Sequence, residues 1–198
     1  MQQTKLTSMK TIYCFLFLIV TTLSWAQTPC EYVQNISDSI GTYKTTKEYL
    51  VHERNFAGNA SYLFNSIAVT DGVPVLNVQF IEKSTEFIKA KCLDANSKLF
   101  IQLQNGKIVT LMHTQQESCG SLVRDDAGVN NRIMTGTFLF RKDDYQFLQD
   151  SPVSFIRIKF GTDTVDYVYK KALKSELDGQ LYEPEKYFML IYPCIVGN

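Results

Sequence analysis

The chain has 198 residues, with 20 Lys plus Arg set against 20 Asp plus Glu, a formal net charge of zero. That length suits one domain with a proper core. The balance, with no basic block, gives no electrostatic footprint in the sequence for nucleic acid or an anionic membrane.

The first element is "MKTIYCFLFLIVTTLSWAQTPC", Met9 to Cys30. Lys10 supplies a positive start, and an apolar run from Ile12 to Val20 extends through two threonines to Leu23. Ser24 and Ala26 then place small residues where a signal peptidase inspects the chain. A spanning helix needs about 20 predominantly apolar residues, and this run is shorter. It therefore reads as a signal peptide over residues 1–26, with Met9 as an alternative start. Residues 27–198 then form a single β-rich domain, secreted or periplasmic. Lys5 and Lys10 leave with the segment, so the mature chain carries 18 basic and 20 acidic groups. Trp25, the only tryptophan, leaves too. No second long apolar run follows, which predicts no membrane insertion of the mature chain.

Cys14 sits inside the removed run, leaving Cys30, Cys92, Cys119 and Cys194. Four cysteines in an exported chain point to two disulfides, with three pairings open. We favour Cys30 with Cys194, which ties the two ends together, and Cys92 with Cys119, which closes a local loop. The competing use is a nucleophilic thiol, Cys119, with His113 six residues upstream as its base.

Most of the mature chain reads as strand. "TYKTTKEYLVHE" (Thr42 to Glu53), "SYLFNSIAV", "VLNVQFIE", "FIKAKCL" (Phe87 to Leu93) and "RIMTGTFLFR" all look extended, and "TDGVP" is a turn between two of them. In "KLFIQLQNGKIVTLMH", Asn105-Gly106 predicts a two-residue hairpin turn with Leu103 opposite Ile108 and Leu99 opposite Met112. "RKDDYQFLQDSP" reads as a short helix capped by Asp143 or Asp144. "SFIRIKFGTDTVDYVYK" is a second hairpin turning at Gly161 to Asp163. "EPEKYFMLIYPCIV" is open between a helix stopped by Pro193 and a buried strand; Pro184 at a first helical position favours the helix. The fold class expected is mainly β: a single-domain antiparallel β-sandwich or partly open barrel with one or two short helices.

The stretch "DDYQFLQDSPVSFIRIKFGTDTVDYVYK", followed by "KYFMLIYPCI", resembles the C-terminal half of short exported β-rich bacterial proteins of unknown function. The resemblance covers roughly residues 106–194. It implies a single exported β-rich domain and no activity.

The chemistry-bearing motifs are few. Only His52 and His113 are present, without HExxH, so a zinc hydrolase lacks its usual ligands. "RDDAGVNN" offers oxygen ligands without EF-hand spacing. No GxSxG elbow and no Gly-rich phosphate loop occurs. Neither a cofactor nor a metal site is expected. Asn35-Ile36-Ser37 and Asn59-Ala60-Ser61 match an N-glycosylation pattern, and Asp38-Ser39-Ile40 and Asp163-Thr164-Val165 match a bacterial O-glycosylation one. Tyr167 and Tyr169 share one strand face and could form an aromatic binding platform beside Arg157 and Lys159, unless they line the core. These features favour an exported, disulfide-stapled, non-catalytic module that binds a protein or glycan. The alternative is a small hydrolase or thiol enzyme using Cys119 and His113, or a carboxylate pair drawn from groups such as Asp143, Asp144 and Asp166.

Overall fold

Alternating apolar and polar residues drive the chain into strands, and turn chemistry divides them. The structure, a computed structural model, describes residues 30–114, 117–141 and 143–196. The segment expected to be a signal peptide, residues 1–26, lies outside the described residues. β1 (Tyr32–Ser37), β2 (Thr42–Thr46), β3 (Tyr49–Phe56), β4 (Asn59–Thr70) and β5 (Val73–Ser84) come first. β6 (Lys98–Leu103), β7 (Ile108–His113), β8 (Ser121–Arg124), β9 (Asn130–Leu139), β10 (Val153–Lys159) and β11 (Thr164–Val168) complete one sheet. A small ribbon of β12 (Leu173–Lys174) and β13 (Leu181–Tyr182) follows, then a 3-10 turn (Pro184–Lys186) and the helix α1 (Tyr187–Val196).

The eleven-stranded sheet is antiparallel and runs β1-β2-β4-β5-β9-β7-β6-β10-β11, with β3 also on β4 and β8 also on β9. It is mainly β, as expected, and takes the partly open barrel form. The sheet curls until β3 faces β11. His52 of β3 donates through Nδ1 to the Val168 carbonyl at 3.5 Å, and its ring meets Tyr167 edge-on at 5.3 Å. No ladder joins β3 to β11 among the described residues, so the barrel stays open at this seam. Inside, Leu63, Ile67, Leu76, Leu99, Ile101, Val109, Leu111, Phe138, Ile156 and Ile158 form one continuous core. At β9, Gly136 lets Leu93 pack onto the backbone: a Cβ there would lie 2.4 Å from Leu93 Cδ1.

The seam carries a pH-dependence with a definite sign. Burial lowers the His52 pKa below its ordinary 6.5; the bond to Val168 opposes this, while Lys170 and Arg54 add to it. A depressed histidine pKa means the unfolded chain binds the proton more readily. This contribution to stability is therefore complete above about pH 6.5 and is lost as pH falls through the folded pKa. Urea unfolding midpoints between pH 7.5 and 5.5 are expected to fall in the parent and to fall less in His52→Gln. Equal slopes would remove His52 as the cause.

Several elements differ from expectation, each for a physical reason. The β6–β7 hairpin is shifted by one residue: Gln102 faces Ile108, Ile101 faces Val109 and Leu99 faces Leu111. Leu103 N–H bonds to Lys107 O at 2.9 Å, and only Gly106 has positive φ, so the loop has three residues and ends in a bulge. This register puts Leu99, Ile101, Leu103, Val109 and Leu111 on one buried face, which the two-residue turn does not. The Thr42–Glu53 stretch bends between Thr46 and Tyr49, where the Thr46 hydroxyl, not a ladder carbonyl, takes the Ile67 N–H at 2.9 Å.

Phe87 to Leu93 is no strand. Its Ile88 carbonyl accepts from Arg132 Nε at 3.1 Å, and its Cys92 carbonyl accepts from Gly161 N–H at 2.9 Å. The Tyr145–Gln149 segment is a 3-10 turn without a side-chain cap, and the Asp144 carboxylate approaches Arg141 instead. The last element is the helix, but Pro193 lies inside it. Burial of Cys194 and Ile195 carries the last turn past the proline. No helix among the described residues is long and apolar enough to cross a membrane.

Candidate functional site

On β4, β5 and β9 the inward side chains are mostly apolar, and over a short central stretch the outward ones are mostly polar; the registers align that stretch into two rungs. Phe64, Gln79 and Thr135 lie side by side, and next to them Ser66, Asn77 and Thr137. Side chains two apart on a strand share a face, so these six form a continuous floor on the outside of the sheet. Thr137 Oγ1 donates to Asn77 Oδ1 at 2.9 Å. That bond fixes which end of the Asn77 amide is committed and leaves its N–H groups to the groove.

Walls rise on two sides of the floor. β1 and β2 contribute Gln34 and Thr45, and the bend between β2 and β3 contributes Lys47 and Glu48. The β12–β13 ribbon contributes Asp178, Gln180 and Tyr182. Together they enclose a groove of about 700 Å³, within the ~300–1,000 Å³ usual for ligand sites. Tyr182 donates to Asp178 Oδ2 at 2.6 Å. Burial, then this bond, pushes the Tyr182 phenol up to about 12, and the same bond holds the Asp178 carboxyl below its usual range. Near neutral pH the wall thus presents a neutral phenol beside an ionised carboxylate.

The ribbon is fixed to the sheet by a buried acid. Glu53 of β3 is 7% exposed, and its Oε1 accepts from Glu176 N–H at 3.0 Å and from Asn55 Nδ2 at 2.9 Å. Asn55 Nδ2 also donates to Glu176 Oε2 at 2.9 Å. Two carboxylates share one amide here, and they act as a clamp: the groups they hold are the backbone and side chain of the ribbon itself. Glu183 N–H adds a bond to Tyr49 Oη at 2.8 Å.

The residues singled out in the sequence fall elsewhere. Tyr167 and Tyr169 are 8% and 4% exposed and line the core, so they form no platform. Arg157 and Lys159 point to the opposite, outer face, because Tyr167 pairs with Ile156 while Arg157 pairs with Asp166. Arg157 binds Asp166 through two bonds of 2.6 and 2.7 Å. The aromatic ring beside Arg157 is Phe155, at 5.6 Å. Tyr169 instead accepts from Asn65 Nδ2 at 2.8 Å inside the core.

Cys30 is bonded to Cys194, and Cys92 to Cys119. A disulfide sulfur offers no thiolate, which overturns the nucleophilic role weighed for Cys119. His113 is buried on Phe138, with Nδ1 donating to Asp94 O at 3.0 Å. In the "RDDAGVNN" loop, Asp125 spends its carboxylate on Val129 N–H and Asn131 Nδ2, at 2.9 and 3.2 Å, and shapes the β8–β9 turn. Asn77, Gln79, Thr135 and Thr137 escaped notice in the sequence. Their signal was there: uncharged polar residues at alternate positions of "LNVQF" and "MTGTF". Only the register brings the two runs together. Comparison of the chain with family models, curated proteins and solved structures finds no match.

Proposed function

We propose that this protein is an exported, disulfide-stapled, non-catalytic module and that the groove over β4, β5 and β9 binds a glycan. The observation that carries this reading is the floor itself: amide and hydroxyl groups in two aligned rungs, on strands that cannot easily move. Uncharged donors and acceptors in a row match a ligand rich in hydroxyls, and Phe64 and Tyr182 supply rings against which a sugar face can pack. Positioning the site on strands rather than loops limits the ordering cost of binding. One cation, Lys47, stands against Glu48 and Asp178, so the groove favours a neutral or weakly basic glycan over an anionic one. Two disulfides suit a protein that works in an oxidising compartment.

The test is a titration of the mature protein with neutral hexose oligosaccharides, followed by the side-chain amide signals of Asn77 and Gln79. We expect both to shift with at least one oligosaccharide. Asn77→Ala is expected to weaken that binding about tenfold, since one or two hydrogen bonds of ~1 kcal/mol each are lost. Asn77 is surface-facing, so the fold should be retained. Groove signals that stay still with every oligosaccharide, or affinity unchanged in both Asn77→Ala and Tyr182→Ala, would overturn the reading.

A further inference from the structure

A second site lies at one end of the barrel, where the inner face of the same strands reaches the mouth and Lys83, on their outer face, borders it. Moving along β3, β4, β5 and β9, the inward rung His52–Leu63–Phe80–Met134 is followed by the rung Arg54–Ser61–Glu82–Arg132. The interior thus turns from apolar to charged at the mouth. A cavity of about 450 Å³ opens there, lined on one side by Arg54 and Phe56 and on the other by Lys83, Phe87, Lys89 and Lys91. The mouths of barrels are recurrent ligand sites.

Charge at this mouth is not balanced. Arg54, Lys83, Lys89 and Lys91 line it against Glu82 and Glu86, an excess of two positive charges on a chain whose totals cancel. Lys91 is paired with Glu82. Arg54, Lys83 and Lys89 have no ion-pair partner among the described residues. The cations come from two separated stretches of chain, so no basic run reveals them in the sequence.

Two rings flank the same cavity. Phe56 and Phe87 are 70% and 75% exposed, the most exposed aromatics among the described residues. Phe87 does not sit on a loose tip. The carbonyl before it, Glu86 O, accepts from Asn130 Nδ2 at 2.9 Å, and the one after it, Ile88 O, accepts from Arg132 Nε at 3.1 Å. Glu86 N–H is held by Ser84 Oγ at 3.0 Å, and the Cys92–Cys119 disulfide secures the far end of the loop. An exposed phenyl ring carried on a backbone held from both sides, beside unpaired cations, suits a ligand with an apolar part and a negative one.

We propose that the barrel mouth binds an anionic amphiphile, its oxyanion headgroup on Arg54, Lys83 and Lys89 and its apolar chain along Phe56, Phe87 and Ile88. The headgroup chemistry is common to a soluble amphiphile and to a lipid in a bilayer. This site shares no lining residue with the groove, so either can fail without the other.

The experiment uses the mature protein and three probes. Octyl phosphate, below its micelle-forming concentration, is followed by backbone amide shifts. Vesicles of zwitterionic phospholipid, with and without an anionic phospholipid, are followed by co-sedimentation. Inorganic phosphate is the third. We expect octyl phosphate to shift residues 54–56 and 83–91, with affinity falling at least tenfold in Phe87→Ser and in the double variant Lys83→Gln, Lys89→Gln, and weakening as salt rises. These three residues do not contribute to the buried core, so the variants should fold. Co-sedimentation only with anionic vesicles would support the proposal with a bilayer as the source; binding of octyl phosphate without co-sedimentation would support it with a soluble one. Equal affinity for inorganic phosphate and octyl phosphate would overturn it, as would an absence of mouth shifts together with an absence of vesicle binding.

Discussion

Replacing Cys30 and Cys194 together by alanine is expected to lower stability by about 2–5 kcal/mol, measured as the urea unfolding free energy. The bond closes the longer of the two disulfide loops, with a sequence separation of 164. The loop-entropy account gives about 5 kcal/mol as its ceiling, against about 4 kcal/mol for the separation of 27 between Cys92 and Cys119. Cys194 is buried on α1 and Cys30 packs against the same core, so the bond joins the two ends of the fold at the helix. The ordering of the two pairs is the sharper test. If removing Cys92–Cys119 costs more than removing Cys30–Cys194, the ends are docked by packing and the entropic account fails here.

Phe188→Ala is the second large effect, with an expected loss of about 3–5 kcal/mol. Phe188 is fully buried and meets Tyr187 at 5.0 Å and Phe140 at 6.4 Å, both edge to face. Truncation removes a ring from the contact between α1 and the sheet and leaves a cavity that neighbouring strands, held in ladders, cannot collapse into. Phe188→Leu should cost less than half as much. Because the ring and the Cys30–Cys194 bond hold the same helix, the triple variant is expected to lose less than the sum of the two effects. Unfolding free energies that add within ~0.5 kcal/mol would show that the helix docks independently of the disulfide.

Much of the local structure was legible. Period-2 alternation located β4, β5, β9, β10 and β11 to within a few residues, because a strand with one buried face must alternate. Pro184 and the apolar run after it located α1. Asn105-Gly106 located the turn but not its length, since the loop type is chosen by which register buries Leu99, Ile101 and Leu103 together with Val109 and Leu111. "FIKAKCL" has strand composition, yet its carbonyls are taken by Arg132 and Gly161, partners more than 40 residues away.

The candidate sites were much less legible than the elements that carry them. Tyr167 and Tyr169 had a face in the sequence but no side of the sheet. That was settled by Tyr167 standing beside Ile156 and by Asn65 reaching Tyr169 across the barrel. The groove needs Ser66, Asn77 and Thr137 in one rung, and the mouth needs Arg54, Lys83 and Lys89 around one cavity.

By itself, the sequence determined the β class, the location of the long strands and the supply of four cysteines, and it favoured a helix after Pro184. Each of these follows from interactions between residues close in the chain, or from composition. Only the tertiary structure decided the hairpin register, the barrel's open seam, the groove and the cationic mouth. Each depends on which residues from distant strands share a face, and that is set by the packing of the whole core.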